Sequence, residues 1–510
     1  MHSRVVVTGD PLTIEQVVAV ARGQATAVMG PEVAERMAPA RRIVEDAVAS
    51  DAIVYGVTTG FGALASTRVE REEAAELQVN LLRSHAAGVG DPLPDDLVRA
   101  MLLLRARTLS QGHSGVRPVV VERLLDILSA ELIPVVPSIG SVGASGDLAP
   151  FAHLALPLIG EGKVRLNDRI VDASDGLRAS GLEPLKLEPK EGLSLLNGTE
   201  GMLAMGCLGI DRATRLARGA DAACAMSVEA LLGSARPFRA EIHQLRPHPG
   251  QIQSARRIAQ LLENSDLGAS HSEDFVHAVQ DAYSLRCAPQ VHGAVIDTIE
   301  HARRVASIEL GAVVDNPIVF PESGEVISGG NFHGGPLAFI LDFLGIAIAE
   351  LGSISERRID RILDPQRSSG LPPFLSPSAG LHSGYMLAQY TAAALVAESR
   401  VLSHPASVDS IPTSGLQEDH VSMGWGAGRK LLEILGNIAR VIAAELLVAA
   451  QGLEYRQPLR PAPMVEALWQ GIRGVVPSLT TDRPIGDEIE AIARFLESGR
   501  VDEICGWKGL

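Results

Sequence analysis

Small residues surround a serine in the segment Gly140–Pro150, which makes it the most unusual local sequence in the chain. The segment reads Gly-Ser-Val-Gly-Ala-Ser-Gly-Asp-Leu-Ala-Pro and follows a run stiffened by proline, Ile133–Pro137. Phosphate binding is disfavoured, because no lysine follows the glycines and the aspartate would repel an anion. A tight loop or a helix start is one interpretation. Self-modification of the tripeptide at 144–146 is the other.

Self-modification is chemically reasonable for Ala144, Ser145 and Gly146. A compressed turn can bring the Gly146 nitrogen onto the Ala144 carbonyl carbon, because glycine lets the backbone approach closely. Loss of two waters, one carrying off the Ser145 hydroxyl, leaves an exocyclic methylidene on a five-membered ring. Such a ring is a strong electrophile that requires no lysine and no metal.

Further segments carry residue types suited to proton transfer or substrate binding. Each also has an ordinary structural interpretation, as a loop anchor, a helix end, a turn, a helix-face pair, a packed aromatic or a solvated acidic turn. They contain Tyr55 before a glycine-rich stretch, Ser84 with His85, Asn197 before a glycine, Gln280 with Tyr283 and Arg286, Phe332, and Glu418 in Gln417–Met423.

These segments, in this order, resemble the aromatic amino acid ammonia-lyases over nearly the whole chain, from Tyr55–Gly62 to Val476–Leu479. Members of that family carry a 4-methylidene-imidazol-5-one group, formed autocatalytically from an Ala-Ser-Gly tripeptide. The resemblance places this group at residues 144–146. It implies no dissociable cofactor and no metal.

The resemblance also implies a role for each of the other residues. Tyr55 corresponds to the base or proton shuttle, and Arg286 to the residue that holds the substrate carboxylate. A guanidinium suits a carboxylate because it can bind it with two parallel hydrogen bonds. Asn197 and Tyr283 correspond to residues that hydrogen-bond the prosthetic group and the substrate amine, with Gln280 beside them.

Substrate choice is implied by three residues, Ser84, His85 and Glu418. The Ser-His pair is typical of the family members that act on histidine, and phenylalanine lyases carry glutamine in place of the glutamate. A carboxylate opposite His85 can hold an imidazole through both ring nitrogens. Phe332 matches an aromatic that packs near the ring. The implied reaction is deamination of L-histidine to trans-urocanate and ammonia, with Glu418 a lesser candidate for the proton transfer.

Three residues, Thr58, Glu200 and His292, depart from the family pattern. They leave the exact substrate open. The alternative enzymes are an aromatic 2,3-aminomutase that uses the same group, and a tyrosine or phenylalanine lyase. Outside the enzymes, an inactive helical scaffold is the alternative. An intact tripeptide together with Tyr55 argues against the scaffold.

Helical periodicity supplies the elements that must position these residues. In Lys430–Ala450 the apolar residues recur at three- and four-residue steps, and Leu337–Leu351 and Met386–Leu402 are apolar nearly all round, as at the centre of a bundle. We therefore predict a mainly α fold with a long central helical bundle, of the fumarase/aspartase type by resemblance, and few short strands. Further helices are expected at Thr13–Arg22, Glu32–Ser50, Arg71–His85, Asp95–Leu109, Val119–Glu131 and Glu488–Glu497. Strands are expected at Arg4–Thr8, in a hairpin-like segment Lys163–Val171 around Asn167-Asp168, and in Ile318–Val326 around Glu322-Ser323-Gly324.

No repeat or low-complexity linker divides the chain, so we predict a single body over residues 1–510. Within it, residues 1–200 carry the Tyr55 loop and the tripeptide. Residues 201–455 form the central bundle, and residues 456–510 form a helical cap.

The composition and charge limit the classes of partner that this protein can bind. With 46% hydrophobic and 21% charged residues the chain folds and buries a core, and a net charge of −16 disfavours nucleic acid. The N-terminal residues show no secretory leader pattern. The most apolar stretch, Leu337–Leu351, contains two acids and is shorter than the roughly 20 residues that span a bilayer. We predict a cytoplasmic protein with an amino acid substrate and no membrane partner. The resemblance implies a homotetramer whose active sites are built from loops of three subunits.

Overall fold

Helices dominate the computed structural model, which describes residues 3–50, 54, 56, 59–60, 68–143, 147–271 and 280–507. The predicted mainly α fold is confirmed. The helices are α1 Ile14–Ala21, α2 Val33–Ala49, α3 Ala74–His85, α4 Asp95–Leu109, α5 Pro118–Ser129, α6 Leu148–Ala155, α7 Ala173–Ala179, α8 Glu191–Leu196, α9 Glu200–Ala230, α10 Ala240–Gln244, α11 Pro249–Leu261, α12 Asp266–Ala269, α13 Tyr283–Arg286, α14 Ala288–Glu309, α15 Gly335–Leu363, α16 Met386–Leu402, α17 Gly424–Glu454, α18 Pro463–Arg473, α19 Gly486–Glu497 and α20 Arg500–Ile504.

The strands of the described residues form small separate sheets. β1 and β2 pair in parallel, whereas the pairs β3 with β5 and β8 with β9 are antiparallel, as is the sheet β4-β6-β7. The β6–β7 hairpin turns at Asn167 and Asp168, both with positive φ (50° and 61°), as a type I′ turn requires. The strands are β1 Ser3–Val7, β2 Ala25–Met29, β3 Val89–Pro92, β4 Ile133–Pro134, β5 Pro137–Ile139, β6 Lys163–Leu166, β7 Arg169–Asp172, β8 Ile318–Phe320 and β9 Glu325–Ile327.

The chain divides into two compact units. Unit 1 comprises residues 1–211, 303–342 and 405–429, and it contains all of the strands above. Unit 2 comprises residues 212–302, 343–404 and 430–510 and is helical over its described part. The three-part division expected from the sequence stays a prediction.

The core of unit 2 is centred on the C-terminal half of α17. Residues 441–450 are buried on every side of that helix, as its wide apolar stripe predicts. Gly352 of α15 lies against Ile438 of α17, and a Cβ at this glycine would collide with the isoleucine side chain. The absence of a side chain therefore lets the two helices pack closely.

One helix of the described residues, α15, is long and apolar enough to cross a bilayer when only its length and composition are considered. However, 61% of its most apolar 18-residue window is buried inside the protein. A core helix of a folded body accounts for that burial.

A buried carboxyl group in unit 2 makes stability depend on pH. Glu229 is 3% exposed and accepts hydrogen bonds from the Ala462 amide, and burial raises the pKa of its carboxyl group to about 7. The folded state therefore binds a proton that the unfolded state has lost, so stability falls as pH rises from about 4.5 to about 7. We expect the free energy of unfolding of Glu229→Gln, relative to that of the parent protein, to be higher at pH 8 than at pH 5. Urea unfolding at the two pH values measures this.

Glu241→Gln is the matched control for this substitution. Arg239 holds the pKa of the exposed Glu241 carboxyl group at about 2, so its titration is complete well below pH 5. Its substitution should shift stability equally at pH 5 and pH 8. Equal shifts for Glu229→Gln as well would contradict the assignment of the raised pKa to Glu229.

Candidate active site

The reactive tripeptide Ala144-Ser145-Gly146 and Tyr55 lie outside the described residues, but the two ends of the tripeptide segment are described. On the first side, the Gly143 carbonyl accepts hydrogen bonds from Ser422 Oγ (2.8 Å) and from the Gly334 amide (3.3 Å). Gly143 has a φ of 73°, and a Cβ there would collide with Ser422 Oγ. Only glycine suits both the backbone angle and the close approach.

On the other side, Asp147 precedes α6 and is fully buried. Its carboxylate oxygens accept hydrogen bonds from Ser141 Oγ (3.0 Å) and from the Met202 amide (3.0 Å), and its own amide donates to the Gly198 carbonyl (2.8 Å). Burial raises the pKa of this carboxyl group to about 7. Both ends of the tripeptide segment are thus held by hydrogen bonds to other parts of unit 1.

Asn197 is buried in unit 1. It directly precedes Gly198, whose carbonyl accepts the hydrogen bond from the Asp147 amide. Its Nδ2 donates to the Asn316 carbonyl (3.0 Å), while its Oδ1 has no hydrogen-bond partner among the described residues. Arg105, also fully buried, donates to the Asn197 carbonyl (3.0 Å) and forms an ion pair with Glu200. A buried amide oxygen without a partner is costly, which points to a polar group opposite it.

His85 ends α3, next to the exposed Ser84. Its Nδ1 lies 2.9 Å from the Leu81 carbonyl oxygen, which can only accept, so the Nδ1 carries a proton and donates it. Burial lowers the pKa of His85, and the charge of Glu418 opposes that shift. The ring is therefore favoured in the neutral form with its lone pair on Nε2.

Glu418 is the electrostatic partner of His85 in unit 1. Its Oε2 accepts a hydrogen bond from Thr413 Oγ1 (2.7 Å), and the two residues also pair through their backbones as an isolated antiparallel bridge. This double attachment orients the half-buried carboxylate. The charge of Glu418 thus acts on His85, and Thr413 is the side chain that holds its carboxylate.

Phe332 is half-buried in the loop before α15, and its neighbour His333 was not predicted to take part in the site. The His333 ring stacks on His420, with ring centroids 5.8 Å apart and nearly parallel planes. Its Nδ1 accepts from the Gly335 amide (3.2 Å), and its buried Nε2 has no partner within the described residues. The short motifs around both histidines are visible in the sequence, but nothing there indicates that they stack.

The remaining predicted residues lie in unit 2. Tyr283 and Arg286 share the one-turn helix α13, and the guanidinium carbon lies 4.6 Å from the centroid of the tyrosine ring. Tyr283 is 70% exposed, whereas Arg286 Nε is buried and unpaired among the residues described. Arg286 and the exposed Gln280 line a cavity of about 550 Å³ together with Arg236. An arginine that lines a cavity can bind an anionic ligand there.

Comparison with known proteins gives this arrangement its context. The family model described as aromatic amino acid lyase matches residues 12–474. The chain belongs to the aromatic amino acid lyase family. The family expected from the motifs is therefore confirmed, and the protein is an enzyme of the ammonia-lyase type.

Two relatives and two solved structures illustrate how close the resemblance of this lyase is. It is 50% identical over 505 residues to histidine ammonia-lyase of Gloeobacter violaceus, with 98% of each chain covered, and 51% identical over 490 residues to that of Deinococcus radiodurans, with 96% and 93% covered. The crystal structure of histidine ammonia-lyase from Trypanosoma cruzi matches with a TM-score of 0.91 at 43% identity, covering 99% of this chain and 95% of the other. Tyrosine aminomutase from Streptomyces globisporus matches with a TM-score of 0.93 at 41% identity, covering 99% of each.

Proposed function

We propose that this lyase deaminates L-histidine to trans-urocanate and ammonia. The observation that carries the proposal is that Glu418 lies in unit 1 where its charge acts on His85, with the His85 Nδ1 held by the Leu81 carbonyl and the Glu418 carboxylate held by Thr413. The Nε2 lone pair of His85 and the carboxylate of Glu418 are two acceptors, and the two N–H groups of an imidazolium match them. A phenyl ring offers no donor and a phenol offers one, so either would leave a desolvated acceptor unpaired.

The residues that flank the tripeptide fit a ring formed from Ala144, Ser145 and Gly146. Gly143 and Asp147 would hold its two ends. The amide oxygen of Asn197, which has no partner among the described residues, supports a polar group nearby. When formed, the 4-methylidene-imidazol-5-one supplies the electrophile that activates the substrate. Activation is needed because the β-proton of the amino acid is hardly acidic and ammonia is a poor leaving group.

The chain's own side chains bind the substrate and move its proton in this proposal. Arg286 holds the carboxylate, and Tyr55 removes the β-proton as base. Neutral His85 with Ser84 beside it, and Glu418 held by Thr413, orient the imidazole. Asn197, Tyr283 and Gln280 contact the amine side, and Phe332 packs beside the ring.

We also propose a cytoplasmic homotetramer with active sites that draw on loops of three subunits. In unit 2, α15 and α16 expose large apolar side chains, namely Phe343 and Ile346 on the first helix and Leu387 and Tyr390 on the second, at 45–62% of their surface. Apolar surfaces of this kind are typically covered by another chain. Sedimentation velocity of the purified protein tests the assembly.

The substrate is tested by incubating the protein separately with L-histidine, L-phenylalanine and L-tyrosine. We expect a conjugated product that absorbs in the near ultraviolet from histidine alone. A product from phenylalanine or tyrosine instead would contradict the roles of His85 and Glu418. Absence of a product from all three would favour an aminomutase or the inactive scaffold.

A 2,3-aminomutase is the second candidate, because a tyrosine aminomutase shares the fold at 41% identity. Such an enzyme returns the amine to the β-carbon instead of releasing it. Chromatography of the same reactions separates the outcomes. A β-amino acid in place of free ammonia would favour the aminomutase.

Substitution of Glu418 tests the specificity pair directly. Glu418→Gln keeps the size of the side chain but removes its charge, and one charge-assisted hydrogen bond to the substrate ring is lost. We expect kcat/KM for L-histidine to fall about 10- to 100-fold, as the loss of about 1.5–3 kcal/mol implies. The exposed neighbour Asp419 provides the control Asp419→Asn, which should retain parent activity. Undiminished activity of Glu418→Gln would contradict the proposed contact.

A further inference from the structure

A network of buried charged and polar side chains lies in unit 2 and joins five helices. None of its members has more than 4% of its surface exposed. Buried charged and polar groups are costly unless they are hydrogen-bonded, and these groups bond to one another. The members are Asp221 and Ser227 of α9, Ser254 and Arg257 of α11, His292 of α14, Ser355 and Arg358 of α15, and Glu445 of α17.

Arg358 is the centre of this network. Its Nε and Nη2 bind the two carboxylate oxygens of Glu445, at 2.5 and 2.8 Å. Ser227 and Ser355 donate to the same two oxygens, at 2.7 and 2.6 Å. The guanidinium plane is therefore fixed in orientation as well as in position.

His292 supports Arg358 from another side. Its Nε2 lies 3.4 Å from Arg358 Nη1, which can only donate, so the Nε2 accepts and the proton resides on Nδ1. That Nδ1 donates to Asp221 Oδ1 at 2.8 Å, and Ser254 and Arg257 hold the carboxylate of Asp221 in turn. With His292 neutral, the carboxylates of Asp221 and Glu445 balance the charges of the two arginines, Arg257 and Arg358.

The Nη1 of Arg358 also reaches beyond the network. It donates a hydrogen bond to the Ser284 carbonyl at 3.2 Å. Ser284 lies in α13, between Tyr283 and Arg286, and α13 has only four residues. A helix of one turn has little stability of its own, so its orientation depends on contacts with its surroundings.

Stability alone does not account for these buried charges. Apolar side chains of similar volume would often serve a core equally well, because desolvation offsets most of the attraction between buried ions. What hydrogen-bonded charges add is a defined geometry, and here that geometry ends at the carbonyl of the helix that carries Tyr283 and Arg286.

We propose that Arg358 and His292 are positioning residues for substrate binding, acting through the Ser284 carbonyl on Tyr283 and Arg286. The proposal rests on the proposed function, since it takes Arg286 as the group that binds the substrate carboxylate. Neither positioning residue touches the substrate. Asp221 and Glu445 hold the two in place.

Steady-state kinetics of Arg358→Lys test the proposal. Lysine keeps the charge opposite Glu445 but cannot bind two glutamate oxygens and the Ser284 carbonyl together. We expect KM for L-histidine to rise about tenfold, as for a binding group displaced by a fraction of an ångström, with the near-ultraviolet absorbance of the prosthetic group unchanged. The matched control, Arg456→Lys, lies in unit 2 outside the network and removes hydrogen bonds to the Ala230, Ser368 and Ser369 carbonyls. It should lower the thermal midpoint and leave KM unchanged.

Two substitutions of His292 give a matched pair. Asn at 292 can still donate to Asp221 but has no acceptor at the Nε2 position. Gln can still accept from Arg358 but loses the hydrogen bond to Asp221. Both should lower the thermal midpoint, and His292→Asn should raise KM for L-histidine more than His292→Gln, because only Gln keeps an acceptor next to Arg358. Equal KM values for the two variants, or a parent KM for Arg358→Lys, would overturn the proposal and leave the network purely structural.

A double substitution distinguishes this failure from failure of the proposed function. In the Arg286→Lys background, Arg358→Lys should raise KM by much less than tenfold, because both act through one contact. Independent, multiplying effects would overturn the proposed route through α13. If Arg286→Lys alone leaves KM for L-histidine unchanged, the role of Arg286 is wrong, and the proposed function fails at that residue.

Discussion

Ser145→Ala is expected to abolish deamination of L-histidine, lowering kcat by at least about a thousandfold. Without the serine hydroxyl, the tripeptide has no leaving group from which to form the methylidene, and the β-proton of the substrate stays unactivated. The near-ultraviolet absorbance of the prosthetic group should disappear in the same variant. Urocanate formation and the difference spectrum against the parent protein measure the two effects.

Ser138 provides the control for this substitution. Ser138 lies seven residues before Ser145. Its backbone carbonyl accepts the hydrogen bond from Trp425 Nε1, so removal of the side-chain hydroxyl leaves that bond in place. Ser138→Ala should therefore keep both the absorbance and the activity. Retention of the absorbance in Ser145→Ala would show that the chromophore does not arise from the tripeptide, and the proposed chemistry would then be wrong.

The second large effect is expected for Arg286→Met. Methionine fills much of the same volume but carries no charge, so the substrate carboxylate loses a bidentate, charge-assisted partner. We expect KM for L-histidine to rise about 100-fold, which corresponds to about 3 kcal/mol, with a smaller fall in kcat. Initial rates over a wide range of substrate concentration measure both constants.

Arg236→Met separates this contact from the general positive charge around the cavity. Arg236 lines the same cavity as Arg286 but is exposed to solvent. Screening by salt should limit its effect on KM to less than about threefold. A rise in KM as large as that of Arg286→Met would mean that the overall positive potential of the cavity, and not a specific contact with Arg286, attracts the substrate.

Local signals explain the parts of the fold that could be predicted. Helical signals in the sequence predict a helix at Asp95–Leu109, and α4 has those bounds. The hairpin around Asn167 and Asp168 was predicted from its turn residues, which tolerate positive φ. Both features depend on interactions between residues close together in the chain.

Other elements were missed because their signals are not local. β2 was not predicted as a strand, since it pairs in parallel with β1 and the partner lies some 20 residues away along the chain. α9 is buried on nearly every side, so its apolar residues do not form a single stripe. α15 was expected to end near Leu351, but it continues to Leu363, where the charged Arg358 is buried and paired with Glu445.

The sequence by itself determined the family of this protein, its mainly α fold and the residue types available for chemistry. The order of short motifs along the chain carries that information, as does helical periodicity. The roles of the twelve candidate residues named from those motifs stay predictions, and Tyr55 and the tripeptide lie outside the described residues.

Only the tertiary structure decided how the described candidates are held. Thr413 orients Glu418, the Leu81 carbonyl selects the tautomer of His85, and Arg105 holds the backbone of Asn197. A sequence shows the charge of an arginine but not its burial or its partners. Whether a polar side chain faces water or completes a buried hydrogen-bond network depends on chain segments far apart in sequence, and only folding brings these together.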